Sequence, residues 1–166
     1  DVAMATLPGL HWVYGETAMA GKFLSQCAMN NIPQGLLCNL SNNEPARGLP
    51  IPDYSIWWVY GLREHRWYTG DDDWYHDAYP TVRRIIGWFC QYLNDDGLLE
   101  NVPGWIFIDW ADCHKTGMSS SLNAIFAVAL DVLAEVAEVV GDQRTVDDAK
   151  AKAATIREKF MLTFFD

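Results

Sequence analysis

Three glycine–acid dipeptides divide the chain into apolar stretches and the amphipathic stretches that follow them. They are Gly15–Glu16, Gly70–Asp71 and Gly141–Asp142, and the steps from one glycine to the next are 55 and then 71 residues. A glycine in the left-handed conformation ends a helix, and an acidic residue after it suits the positive N-terminal end of the next helix. Each dipeptide therefore predicts the turn of a helical hairpin. Three of them predict an all-α array of hairpins that pack side by side.

The hydrophobic pattern predicts two kinds of helix in this array. Helices before each turn are apolar on most sides, as expected of an inner layer, and helices after it have one charged face, as expected of an outer layer. The fourth predicted helix has one apolar face. Trp67 and Tyr68, near the end of the third helix, are assigned to the core. The six predicted helices span residues 2–13, 16–29, 53–68, 72–93, 119 or 120 to 140, and 145–165. The apolar face of the fourth comprises Tyr79, Val82, Ile85, Ile86, Phe89 and Tyr92.

Composition excludes several classes of partner. Half of the residues are apolar and 13% are aromatic, which is typical of a packed globular chain. The length of 166 residues predicts one domain. The net charge of -10 disfavours nucleic acid and anionic membranes, because both require clustered Lys and Arg. No run of 18 apolar residues is free of charge, so no membrane span is predicted. The compartment stays open.

The four cysteines and four histidines are scattered along the chain. The cysteine spacing fits neither a zinc site nor a redox pair, so buried thiols and no metal site are predicted. Neither a cofactor nor a metal is expected. The four cysteines are Cys27, Cys38, Cys90 and Cys113.

Two long segments rich in Pro, Asn, Gly and Trp separate the hairpins, at residues 30–52 and 94–117. Loops of this length in a compact domain are usually functional or disordered. Since the short turns occupy one end of a hairpin array, both long loops are expected at the other end. We therefore predict that function lies at the long-loop end, where the inner helices begin.

Both loops set a carboxylate beside aromatic residues. The first leads into Ile51-Pro52-Asp53-Tyr54-Ser55-Ile56-Trp57-Trp58, and the second contains Pro103-Gly104-Trp105-Ile106-Phe107-Ile108-Asp109-Trp110-Ala111-Asp112. Sugars suit such a combination, because the apolar face of the ring stacks on an indole while hydroxyl groups donate to a carboxylate. The simpler interpretation of Asp53 is helix N-capping, and that of Trp57 and Trp58 is core packing, with at most one of the two indoles at the mouth. Packing explains Asp109 and Trp110 less well, because they lie in a loop.

The ordered set of motifs resembles the catalytic domain of bacterial α-L-rhamnosidases, the six-hairpin glycosidases of glycoside hydrolase family 78. The resemblance rests on the hairpin repeat, the string from Ile51 to Trp58, Tyr68-Thr69-Gly70-Asp71, Phe107-Ile108-Asp109-Trp110 and Ser121-Leu122-Asn123-Ala124. It implies an (α/α)6 toroid and inverting hydrolysis of terminal α-L-rhamnosides without a cofactor. This chain would supply about half of the ring, so the remaining domains of a longer protein are expected partners.

The resemblance also implies where the chemistry lies. Asp1 matches the last residue of the family's Trp-x-Gly-Asp segment, as a supporting carboxylate, with the general acid a few residues before it. The general base would come from a hairpin after Asp166. The isolated chain should therefore contribute binding residues rather than turnover. The resemblance implies that Asp1, Asp53, Asp109 and Trp110 line the sugar pocket. The aromatic residues beside these acids, Tyr54, Trp57 and Trp105, are the other predicted substrate contacts.

Two alternatives stay open from the sequence. One is another six-hairpin glycosidase, trehalase-like or glucoamylase-like, with different carboxylates at the mouth. The other is a non-catalytic helical-repeat module that binds a glycan or a protein. The sequences flanking residues 1–166 would distinguish the three, because only an enzyme needs an acidic segment before the first hairpin and a later carboxylate that faces the cleft.

Overall fold

The structure is a computed structural model that describes residues 2–29, 32, 35–37 and 51–165. Within these ranges the chain forms helices and no β-strand, and an isolated antiparallel bridge joins Leu93 to Leu99. The prediction of an all-α chain is confirmed. The helices are α1 (Val2–Tyr14), α2 (Ala18–Met29), α3 (Pro52–Thr69), α4 (Asp73–Cys90), α5 (Ser120–Val140) and α6 (Gln143–Phe164).

The three predicted hairpin turns are present. Gly15, Gly70 and Gly141 have φ angles of 62°, 67° and 81°, the left-handed conformation that ends a helix. After each glycine an acidic side chain accepts a hydrogen bond from an amide at the start of the next helix, which satisfies a donor without an intrahelical partner. These bonds join Met19 N to Glu16 (3.0 Å), Asp73 N to Asp71 (2.9 Å) and Thr145 N to Asp142 (3.1 Å).

The helices pack in two layers, as the hydrophobic pattern predicts. In the inner layer α3 lies between α1 and α5, and in the outer layer α4 packs on both α3 and α5, while α2 packs on α3 and α6 on α5. Arg63 of α3 binds Glu135 of α5 with two hydrogen bonds of 2.6 and 3.0 Å. The predicted face of α4 points inward, and the ring of Phe89 packs on Phe126 of α5 with centroids 5.5 Å apart.

The two adjacent tryptophans of α3 separate as expected. Trp58 is buried and its indole N–H donates to the carbonyl of Leu24 at 3.0 Å, which ties α3 to α2. Trp57 is half-buried, and its ring meets Tyr60 edge to face at 6.1 Å. Only one of the two indoles is therefore in the core.

The assignment of Trp67 to the core is wrong. Its side chain is 79% exposed, whereas Tyr68 is half-buried and stacks on His11 with ring centroids 4.6 Å apart. Successive residues of an α-helix are 100° apart, so Trp67 lies about 200° around α3 from the buried His65. An indole near a helix end is apolar enough to suggest burial, but the helix phase turns it outward.

Three cysteines lie in the described part of the chain, and all three are free and half-buried rather than fully buried. Burial raises the pKa of the Cys27 thiol to about 11, so the thiolate is rare near neutral pH. Cys38 lies outside the described residues. None of the described helices has the length and apolar character needed to cross a membrane.

A buried histidine pair joins α1 to α3 near the turn end. The rings of His11 and His65 lie 5.3 Å apart, and His65 meets Trp74 of α4 edge to face at 5.0 Å. Among the described residues, no hydrogen bond of normal geometry reaches either ring nitrogen of His11 or the Nδ1 atom of His65. Burial lowers the pKa of both rings, against the opposing charges of Glu64 near His11 and Asp71 near His65.

We expect the free energy of unfolding to fall as the pH drops below about 6.5, the ordinary pKa of histidine. The folded state takes up protons at these two rings less readily than the unfolded state, so this part of the stability is complete above pH 6.5 and is lost on acidification. Urea unfolding at pH 7.5 and 5.0, followed by circular dichroism, measures the difference. The difference in the free energy of unfolding between the two pH values should be smaller in His11→Phe. It should be unchanged in His114→Ala, which removes an exposed histidine. An equal pH dependence in His11→Phe would contradict this role.

Candidate functional site

The carboxylate of Asp53 brings the start of α3 and the second long loop together. Asp53 is fully buried; one of its oxygens accepts from the backbone N–H of Phe107 at 3.0 Å, and the other from that of Ile108 at 3.1 Å. Asp109 follows directly, so Asp53 and Asp109 lie at the same end of the helical layers. Most of the first loop lies outside the described residues, but Leu37 N donates to Ser55 of α3 at 3.0 Å, which places residue 37 at this end.

Asp53 does not cap α3, contrary to the N-capping prediction. The cap residue is Ile51, which is extended and forms no side-chain cap bond, and Pro52 occupies the first turn. Proline suits the first helical position because its φ is preset and its missing N–H would have no helical partner there. Asp53 therefore lies inside the first turn, and its carboxylate bonds across to the second loop. The positive end of the α3 dipole favours its negative charge.

The backbone of the second loop makes a tight turn at Ile108. The φ of Ile108 is 53°, and the N–H of Asp109 donates to the carbonyl of Phe107 at 2.6 Å. A bond between residues two apart with a positive central φ defines a γ-turn, the rarer and strained form of this turn. The residues that follow this turn, Asp109 and Trp110, are exposed.

Phe107 is the buried centre of an aromatic cluster. Trp110 and Trp105 meet its ring edge to face at 5.0 and 5.8 Å, and Tyr54 of α3 does so at 5.8 Å. Trp110 is 82% exposed and Trp105 is 48% exposed, so both indoles rest on a buried ring and face solvent. The cluster brings together three of the predicted sugar-contacting residues. Burial and then the nearby charge of Asp53 raise the pKa of the Tyr54 hydroxyl, which keeps it protonated.

The Asp109 carboxylate lies at the surface beside this cluster. One oxygen accepts from the N–H of Ala111 at 3.0 Å, a local bond that fixes the exposed side chain. Lys115 donates to the Asp109 carbonyl, and its ammonium lies 5.7 Å from the centre of the Phe107 ring. Sequence reasoning missed Lys115. The sequence signal for Lys115 was weak: a single lysine six residues after Asp109, in a segment that also contains Asp112.

Asn123, in the first turns of α5, anchors the base of the second loop. It is fully buried; its side-chain oxygen accepts from Leu99 N at 2.7 Å, and its amide group donates to the carbonyls of Leu99 and Ser119, each at 3.0 Å. Ser119 caps α5 by accepting from Leu122 N at 3.3 Å, which decides between the two serines, Ser119 and Ser120, that the sequence left open as the cap. The Ser121–Ala124 string therefore contains a residue that holds the loop, a role that sequence reasoning did not give to Asn123.

The remaining predicted site residues lie apart from the cluster or outside the description. Trp57 makes its ring contact with Tyr60 within α3. Asp1 lies outside the described residues, so its role stays a prediction. Among the residues that the structure describes, no group of three or more His, Cys, Asp or Glu side chains could hold a metal ion.

Comparison with known families supports the same interpretation. The sequence model described as the bacterial alpha-L-rhamnosidase 6 hairpin glycosidase domain matches residues 1–166. The chain belongs to this family. The match spans the whole chain and, together with the family 78 rhamnosidase structure described next, confirms the predicted resemblance to glycoside hydrolase family 78.

Solved structures of rhamnosidases share the fold. A family 78 rhamnosidase of Bacillus sp. GL1 is 23% identical, with a TM-score of 0.80 over 92% of this chain and 16% of its own. A Klebsiella oxytoca rhamnosidase with rhamnose bound is 16% identical, with a TM-score of 0.74 over 89% of this chain and 29% of its own. The α-L-rhamnosidase of Dictyoglumus thermophilum is 15% identical, with a TM-score of 0.72 over 99% of this chain and 19% of its own.

These likenesses establish the helical-hairpin fold of a six-hairpin glycosidase domain. The chain spans less than a third of the length of each of these solved rhamnosidases. Comparison with curated protein sequences gives no match. The family therefore identifies the domain, which forms only part of each solved rhamnosidase.

Proposed function

We propose that this chain forms part of the sugar pocket of a longer, inverting glycoside hydrolase that releases terminal α-L-rhamnose. The observation that carries the proposal is the exposed pair of Asp109 and Trp110 beside Phe107, the buried centre of the aromatic cluster, within a rhamnosidase-family domain. Trp110 would stack on the apolar face of the sugar, and Asp109 would accept hydrogen bonds from its hydroxyl groups. Trp105 and Tyr54 would extend the same surface.

The acid and base of the reaction are proposed to lie outside residues 1–166. An inverting glycosidase needs one carboxylic acid to protonate the leaving oxygen and one carboxylate to activate water, about 6.5–9.5 Å apart. Asp53 is buried and its two oxygens already bind backbone amides, so it presents no face to a water molecule. The exposed carboxylate of Asp109 is instead suited to accept hydrogen bonds from the hydroxyl groups of the sugar. Asp1 is proposed as a supporting carboxylate.

We expect the isolated chain to release no p-nitrophenol from p-nitrophenyl α-L-rhamnopyranoside, because general acid and base groups typically contribute about 10²–10⁴-fold each. The full-length protein should hydrolyse the same substrate, and polarimetry should show the inverted anomer as the first product. Turnover by the isolated chain that disappears in Asp1→Asn would show that the catalytic groups have been misplaced.

The same assays address the alternatives. The family match favours a rhamnosidase over a trehalase-like or glucoamylase-like enzyme. Hydrolysis of trehalose or maltose, but not of the rhamnoside, by the full-length protein would reverse that preference. Binding of L-rhamnose without turnover of any glycoside would instead favour a non-catalytic glycan-binding module.

A further inference from the structure

We propose that Asp53 is a positioning residue, which holds the γ-turn at Ile108 in its strained form and thereby keeps Asp109 and Trp110 presented to the sugar. The inference rests on the proposed function and deepens it, because it gives a role to a carboxylate that lies beneath the exposed pair. This replaces the direct sugar contact that the sequence predicted for Asp53: the carboxylate is fully buried, and it would act on the sugar through the turn and not by contact.

The turn is strained, and nothing in its own sequence favours it. The φ of Ile108 is 53°, and a β-branched residue at a positive φ is a genuine outlier among L-amino acids. Its neighbours Phe107 and Asp109 include no glycine to absorb the bend. Such a conformation persists only where surrounding structure over-determines it.

Asp53 supplies that external hold. Its two oxygens accept from the successive N–H groups of Phe107 and Ile108, at 3.0 and 3.1 Å. Successive amides converge on one anion only where the backbone bends between them, as in the concave amide groups that bind anions elsewhere. Bonds to an ionised acceptor are also stronger than neutral ones. The acceptor is fully buried in the first turn of α3.

The held turn sets the direction of the exposed pair. The positive φ of Ile108 sets the direction in which the chain leaves the turn. Along this path the N–H of Asp109 donates to the carbonyl of Phe107, and the Trp110 ring meets the Phe107 ring edge to face. If Ile108 relaxed to a negative φ, the chain after it would leave this path. The Asp109 carboxylate and the Trp110 indole would then lose their common orientation.

The test uses substitutions in the full-length enzyme. Asp53→Asn keeps one acceptor oxygen but points an amide donor at a backbone N–H, which weakens the hold on the turn. The value of kcat/KM for p-nitrophenyl α-L-rhamnopyranoside should therefore fall about tenfold to a hundredfold, mainly through a higher KM. Adding Ile108→Gly should recover about tenfold, because glycine adopts a positive φ without steric cost. Ile108→Ala is the matched control: it removes nearly the same side chain but keeps the Cβ, and should recover nothing.

Amide hydrogen exchange over residues 103–112 provides a readout that does not depend on activity. The amides of residues 107 and 108 should exchange slowly in the original protein and faster in Asp53→Asn. The Asp109 amide, which is bonded within the turn, should also exchange faster in Asp53→Asn, and should slow again with Ile108→Gly but not with Ile108→Ala. If the original protein neither binds nor hydrolyses rhamnosides, the proposed function fails while this pattern still decides the role of Asp53. Unchanged exchange in Asp53→Asn, or equal recovery by alanine and glycine, would overturn the inference.

A comparison that leaves Asp53 intact covers the case in which Asp53→Asn does not fold. Ile108→Gly and Ile108→Ala lose almost the same apolar contacts, so their difference reports the backbone strain alone. We expect Ile108→Gly to unfold at the higher temperature, the reverse of the usual order of these two residues. A higher unfolding temperature for Ile108→Ala would show that the turn is not strained and would overturn the inference.

Discussion

Replacement of Asn123 by alanine is expected to lower the free energy of unfolding by about 2–4 kcal/mol, since each buried polar group left without a partner costs about 1–3 kcal/mol. The substitution removes three hydrogen bonds and leaves the N–H and C=O of the buried Leu99 unpaired. It also frees the second loop from the start of α5. Urea unfolding followed by circular dichroism measures the change.

Two further variants separate the amide's role from its volume. Asn123→Asp keeps the acceptor for Leu99 N but loses both donated bonds and buries a charge, so it should be destabilising as well. Gln143→Ala alters an exposed amide at the start of α6 and should change stability by less than about 0.5 kcal/mol. If Asn123→Ala were as mild as Gln143→Ala, the loop would have to be held by other contacts.

Substitutions of the exposed pair should lower kcat/KM of the full-length enzyme. Asp109→Asn loses charge-assisted hydrogen bonds worth about 1.5–3 kcal/mol, which corresponds to about tenfold to a hundredfold. Trp110→Ala removes a stacking surface and should raise KM for p-nitrophenyl α-L-rhamnopyranoside. Both variants should keep near-native helicity, because neither side chain belongs to the hairpin core.

Trp67→Ala is the matched control for Trp110→Ala. The two indoles are 79% and 82% exposed, but Trp67 lies in the last turn of α3, at the turn end of the helical layers. Its loss should leave KM unchanged. An equal effect of the two substitutions, or unfolding of Trp110→Ala with normal rhamnose binding by the folded fraction, would show that Trp110 is structural.

The hairpin architecture could be predicted because its signals are local. The glycine at each turn needs a left-handed φ, and the acid beside it meets an amide no more than three residues away, as at Asp142 and Thr145. The inward face of α4 follows from spacing within one helix. Trp67 was misplaced because hydropathy alone does not give the phase of a residue near a helix end.

The arrangement of the site could be predicted only in part, because it depends on contacts between residues far apart in sequence. The aromatic and acidic composition of the second loop indicated Asp109 and Trp110. It could not indicate that Asp53, more than fifty residues earlier, binds the amides of Phe107 and Ile108. The positive φ of Ile108 breaks a local rule, and such exceptions concentrate at functional sites.

A structure of the full-length enzyme with L-rhamnose bound tests the central claim most directly. The account predicts the sugar at the long-loop end, with its apolar face stacked on Trp110 and a hydroxyl oxygen within roughly 2.5–3.2 Å of the Asp109 carboxylate. Asp53 should remain beneath them, bonded to the Phe107 and Ile108 amides. Rhamnose bound at the turn end beside Trp67, or at the long-loop end without contact to Asp109 and Trp110, would contradict the account.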